Sequence, residues 1–168
     1  MNAPSALSHT LSHTLSRTLS RTMFRALIAA SFIAAPLAAQ SADTAAENNK
    51  KVVLAFYEAA LVRLDADTAR GYLGPRYIQH NPNAPDGADG LMGLIKFLKE
   101  KAPGRLTSIK RVLADGDLVM LHVHSKSTPD ERGTAIVDIF RLENGKIVEH
   151  WDVMQPVPET AKNNNTMF

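Results

Sequence analysis

The stretch 137-VDIFRLENGKIVEHWDV-153 decides the reading of this chain. Two apolar-rich runs flank Asn144-Gly145, a strong two-strand turn signal. Asp138, His150 and Asp152 nevertheless stand inside those runs, where aspartate is a poor strand former and a buried charge is costly. Two registers are open. A two-residue loop pairs Glu143 with Lys146 and sets Asp138 opposite Trp151. A three-residue loop closed by a glycine bulge pairs Leu142 with Lys146, Asp138 with His150 and Ile136 with Asp152. A one-residue slip moves every side chain to the other face. The three-residue loop is the expectation, because it gathers Asp138, His150 and Asp152 with Ile136, Phe140, Val148 and Met154. An apolar wall with a few convergent polar groups is what a small-molecule pocket needs. Val137, Ile139, Ile147, Trp151 and Val153 then form a packing surface on the opposite face.

Working outward, the preceding strand "LVMLHVHSK" alternates, so His122 and His124 share one face, either pocket or solvent. Four strands are expected at 106–114, 118–127, 134–143 and 146–154, joined as an antiparallel meander. Upstream, "YIQHNP" reads as a short strand ending at Pro82, with His80 near its end as either a site residue or a loop-edge hydrogen-bonder. Val53, Leu54, Phe56, Tyr57, Ala60, Leu61 and Leu64 recur at helical spacing, with Tyr57 either a core residue or the side chain that closes a pocket. A short helix is expected over 67–73, ended by Gly74-Pro75. Another carries Leu91, Leu94, Ile95 and Leu98, with Asp89 as its cap. Helices gathered against an antiparallel sheet make an α+β domain.

Residues 1–42 differ in kind. They hold no Asp or Glu, carry Arg17, Arg21 and Arg25, and continue into the uncharged run "ALIAASFIAAPLAA". This is the pattern of a secretory signal peptide, with cleavage near Ala39 or Ala42 and an exported, periplasmic or secreted product. The run is short and broken by Pro36, which argues against a permanent membrane anchor. Four Leu-Ser-(His/Arg)-Thr copies over 7–22 are too short to bury a core, and Met23 is the simpler start. Beyond the leader stand 16 of the 19 Lys and Arg and all 17 Asp and Glu. That balance removes the electrostatic case for nucleic acid. The chain has no cysteine, which excludes disulfides and thiolate chemistry. One domain is expected over 43–158, followed by a flexible tail over 159–168.

"VDIFRLENGKIVEHWDV" together with "YIQHNPNAPDG" resembles the SnoaL-like polyketide cyclases of the nuclear transport factor 2-like superfamily, over about residues 45–158. The resemblance implies a curved antiparallel sheet wrapped as a cone around N-terminal helices, with a deep hydrophobic pocket, commonly in a homodimer. In those cyclases an aspartate late in the last strand performs acid-base work in an intramolecular aldol condensation, and Asp152 resembles it. The cyclases carry histidine where Asp138 stands, a departure. Ketosteroid isomerases share the fold, and their oxyanion-hole aspartate in "Asp-x-x-Arg" resembles Asp138. Their base aspartate falls near "HNP", where His80 or Asn81 stands here, which counts against steroid isomerisation.

The expected chemistry is cyclase-, isomerase- or lyase-type proton transfer on a small hydrophobic carbonyl compound, without a cofactor. Asp152 or His80 is the expected base; His150 or Asp138 is the expected donor to an enolate. Tyr57, His122, His124, Phe140, Val148 and Met154 are the expected substrate contacts. Two other readings stay open: a non-catalytic carrier of a hydrophobic molecule, and a metal site drawn from His80, His122, His124, His150, Asp138 and Asp152. The second lacks any tight ligand spacing.

Overall fold

The computed structural model describes residues 43–168; the leader expected over 1–42 lies outside the described residues. The first helix, α1, runs over 43–62, and its last turn widens to a π-helix at Glu58–Val62, closed by Arg63 N–H donating to Glu58 O at 2.9 Å. Leu64 follows with φ 53°, a left-handed conformation that costs a branched residue about 1–2 kcal/mol. Its buried side chain offsets that cost. Asp65 then caps α2 (Ala66–Arg70) by accepting from Thr68 N and Thr68 Oγ1. Both hydrogen bonds hold its carboxyl below the usual carboxylate range, the Thr68 hydroxyl first.

Strand β1 (Leu73–Gln79) starts earlier than expected and passes through Gly74-Pro75, the expected helix stop. Proline is tolerated there because β1 is an edge strand, with a register shift between Leu73 and Ile78. Helix α3 (Gly87–Lys101) is preceded by Asp86, not capped by Asp89 as expected. The Asp86 carboxylate accepts instead from Gln79 N at 2.8 Å, while Asp89 pairs with Arg70. Strands β2 (Leu106–Asp115), β3 (Leu118–Lys126), β4 (Thr134–Glu143) and β5 (Lys146–Pro156) form the antiparallel meander. The sheet order is β1-β5-β4-β3-β2, and β1 joins β5 in parallel, a pairing the sequence reading did not contain. The result is the expected α+β architecture, a curved and unclosed sheet with helices on its inner face.

The terminal hairpin corrects the expected register. Its loop has two residues, Asn144 and Gly145, both at positive φ, as a type I′ turn demands. The extra residue sits in β5: Leu142 faces Ile147, Arg141 faces Glu149, and Val148 is left over as a bulge. Beyond the bulge, Asp138 faces Asp152, Phe140 faces His150 and Ile136 faces Met154. One added residue restores the face parity of the expected loop, so the polar trio still shares a face. Ile147 and Val148 exchange roles: Ile147 joins the core under the helices, and Val148 turns outward.

The core lies between that inner face and helices α1 and α3. Tyr57, Phe56, Phe140, Ile95, Leu121 and Ile147 are its largest fully buried side chains among the described residues. Burying each such aliphatic or aromatic side chain contributes about 1.5–3 kcal/mol. Phe140 sits at the centre, with Phe56 and Tyr57 edge-on at 5.6 and 6.3 Å and the His150 ring stacked at 4.7 Å. Among the described residues no helix is long and apolar enough to cross a membrane.

Candidate functional site

A cavity of about 230 Å³ opens between the inner face of the sheet, α1, α3 and the loop after β1. It lies just below the roughly 300–1,000 Å³ of drug-sized ligand sites, so it suits a small molecule. Its walls are apolar (Phe56, Leu61, Leu91, Leu94, Leu98 and Ile136 among them), and its polar groups converge from four directions.

Asp138, 3% exposed, anchors the polar set. Its Oδ2 accepts from the Tyr57 hydroxyl at 2.8 Å, and its Oδ1 lies 3.1 Å from His150 Nε2. The other ring nitrogen of His150 lies 2.9 Å from Gln79 Oε1. That same oxygen accepts from the backbone N–H of Asn81, which fixes the orientation of the Gln79 amide. Nδ1 of His150 is therefore a donor, and the remaining contact requires one proton between Nε2 and Asp138 Oδ1. The arrangement is a carboxyl-imidazole pair with its proton held at the pocket wall. Burial first, and the neighbouring Asp138 second, push the Tyr57 hydroxyl well above its ordinary pKa, so it stays a donor.

Asp152 stands across the strand pair from Asp138 and lines the same cavity. Its Oδ2 accepts from the Asn81 amide at 2.8 Å, and Oδ1 has no partner among the described residues. Tyr77, 5% exposed, projects from β1 into the cavity. Its oxygen accepts from Gln79 Nε2 at 3.3 Å, which leaves its own O–H free to donate. Burial is the main reason its pKa is raised, with the charges of Asp138 and Asp152 adding to it. Arg105, from the turn after α3, brings the cavity's one cationic side chain among the described residues.

Asp138, His150 and Asp152 each offer a ligand atom within 4.8 Å of the others, and a histidine with two carboxylates suits a divalent ion by donor type. Within that group His150 Nε2 and Asp138 Oδ1 contact each other at 3.1 Å, so His150 would have to turn this nitrogen from the carboxylate to the ion.

Of the residues singled out from sequence, Asp138, His150, Asp152, Tyr57, Phe140 and Met154 line this cavity. Four do not, and the sheet geometry explains each correction. His80 stacks on Trp151 on the outer face at 4.7 Å and contacts Glu149 at 2.8 Å. Period-two alternation sends Tyr77, Gln79 and Asn81 inward and His80 outward. Glu149 is held below its ordinary pKa by His80 first and by Arg141 second. His122 and His124 face outward because Leu121 and Val123 occupy the inner positions opposite Asp138 and Ile136. They bond to Arg111 and to Arg132 O, and both rings stack against Phe168 of the C-terminal segment. Val148 is displaced by the bulge. Sequence reasoning missed Tyr77, Gln79 and Arg105. Alternation within "YIQHN" was the available signal for the first two, whereas Arg105 gave none.

Residues 53–150 match the SnoaL-like domain family. No curated protein matches the chain. Among solved structures, TsrD from Streptomyces laurentii is 19% identical, with 64% of this chain and 88% of that chain covered at a TM-score of 0.54. A proposed polyketide cyclase from Bacillus cereus is 20% identical, covering 64% and 74% at 0.56. A proposed ketosteroid isomerase from Kribbella flavida is 16% identical, covering 70% and 85% at 0.56. At these identities the likeness is one of fold.

Proposed function

The chain belongs to the SnoaL-like family, and from that premise we propose that it catalyses proton transfer on a small hydrophobic carbonyl compound. One observation carries the reading: Asp152 presents to an apolar cavity a carboxylate oxygen without a partner among the described residues, in a cavity shared with the Tyr77 hydroxyl and the Asp138–His150 pair. Asp152 removes the proton alpha to a carbonyl. The C–H electron pair moves into the enolate, and its oxygen accepts a hydrogen bond from Tyr77. The enolate carbon then attacks a second carbonyl of the same molecule, or, where a double bond is conjugated with the enolate, the far carbon of that system takes the proton back from Asp152. The first outcome is an aldol closure, the second an isomerisation. Asp138 and His150 line the cavity as a hydrogen-bonded pair, and their part is to supply a proton to a developing alkoxide and to hold the wall in place. General acid-base catalysis of this kind contributes roughly 100- to 10,000-fold. Cyclase and isomerase are the descriptions attached to two structural relatives, and both chemistries share this first step. The same proposal includes an exported protein working as a homodimer; the acid-free basic leader supports the first part, and the family resemblance, which implies a dimer, supports the second.

Asp152→Asn tests it. The amide keeps the shape and the Asn81 neighbourhood but cannot take a proton, so turnover of a carbonyl substrate should fall at least a hundredfold with binding nearly unchanged. Full turnover in that variant would refute Asp152 as base. Ligand binding with no turnover in either protein would identify a carrier instead.

A further inference from the structure

Arg105 has no counterpart in the chemistry above. It projects into the cavity from the turn between α3 and β2, half-buried, and its side chain's one hydrogen bond among the described residues is Nε donating to Thr107 Oγ1 at 3.2 Å. Among the described residues, the arginines that form ion pairs do so outside the cavity: Arg63 with Glu58, Arg70 with Asp89, and Arg141 with Glu143 and Glu149. Arg105 forms no ion pair with Asp138 or Asp152, although both line the same cavity. A guanidinium is a planar fork of five donors, and four of them have no partner among the described residues. Partial burial already costs it, since burial is the leading reason its pKa is lowered, against the opposing pull of Tyr57 and Asp138. An uncommitted cation in an apolar cavity is well suited to a bidentate anion.

Resting on the proton-transfer reading, we propose that the substrate is a carbonyl compound that also bears a carboxylate, and that Arg105 holds this carboxylate and so orients the reacting carbon toward Asp152. The apolar walls take the hydrocarbon part, and Thr107 steers the guanidinium through Nε, leaving the terminal nitrogens for the acid. Two aspartates in the cavity repel an anion, so discrimination in favour of an acid depends on Arg105 alone.

The test uses two probes with one carbon skeleton, hydrocinnamate and hydrocinnamyl alcohol, titrated calorimetrically into wild type, Arg105→Gln and Arg105→Lys near neutral pH. The acid should bind wild type roughly tenfold to a hundredfold tighter than the alcohol. Arg105→Gln should erase that difference with little change for the alcohol, and Arg105→Lys should retain part of it. Equal binding of acid and alcohol to wild type, or a difference that survives Arg105→Gln, overturns the assignment while leaving the proton-transfer reading intact. Failure of both probes to bind wild type overturns the assignment and the pocket on which it rests. If Arg105→Gln does not fold, wild type and Arg105→Lys still decide: the acid preference must be present in the first and reduced in the second.

Discussion

Tyr57→Phe probes the buried network with the smallest available change. Tyr57 is fully buried, and its ring contacts survive in phenylalanine, including the edge-on packing with Phe140 at 80°. Only the hydroxyl is lost, and with it the 2.8 Å hydrogen bond to Asp138 Oδ2. Asp138 is 3% exposed, so water replaces that donor poorly. Hydrogen bonds to charged groups contribute about 1.5–3 kcal/mol, and a stranded buried acceptor costs at least as much, so a loss of about 2 kcal/mol is expected. For a domain of this size that is a fall in Tm of roughly 6–12 °C. Thermal and urea denaturation followed by circular dichroism measure it. A second variant makes the reasoning specific. The amide introduced by Asp138→Asn accepts from Tyr57 through its oxygen and donates to His150 Nε2 through its nitrogen, so this change alone should cost little. In its background Tyr57→Phe should cost only about 1 kcal/mol, the ordinary figure for a neutral pair. An unchanged Tm in Tyr57→Phe, or the same loss in both backgrounds, would refute the coupling of Tyr57 to a charged Asp138.

Three further outcomes are expected. Asp86 is held below its ordinary pKa, first by the N–H of Gln79 and then by that of Gly87, so the stability it contributes is complete above about pH 3.9 and is lost as pH falls through its lower folded value. Asp86→Asn should therefore lose less Tm than wild type between about pH 5 and about pH 2.5, and an equal loss in both would refute this. At Gly90 an added Cβ would clash with the backbone carbonyl of Pro85, so Gly90→Ala should lower Tm and weaken hydrocinnamate binding by displacing Asn83 and Ala84 at the cavity, although alanine favours a helix interior by about 1 kcal/mol. A rise in Tm would show that the loop adjusts freely. N-terminal sequencing of native protein should find a start close to Ala39 or Ala42, and an intact Met1 or Met23 in a cytoplasmic fraction would refute export.

Local periodicity was enough to place most elements and to collect half of the site. Alternation in β4 and β5 puts Asp138, Phe140, His150 and Asp152 on one face whatever the loop does, provided one extra residue is accommodated. The position of that extra residue was not legible, because Asn-Gly serves two loop lengths and only packing under the helices decides that Ile147 goes in and Val148 goes out. Alternation in "YIQHN" named two competing faces, and the sequence offered a histidine on one and Tyr77, Gln79 and Asn81 on the other. The choice came from the parallel pairing of β1 with β5, which sets Gln79 beside His150 and turns His80 onto Trp151. His122 and His124 were settled in the same way, by the pairing of Leu121 with Asp138. Arg105 lies in a turn, where no periodicity assigns a face, and its place in the cavity follows from the path of the chain between α3 and β2. Short-range spacing determines which side chains travel together along one strand; which group meets which across strands is a long-range matter, decided when the sheet closes over its core.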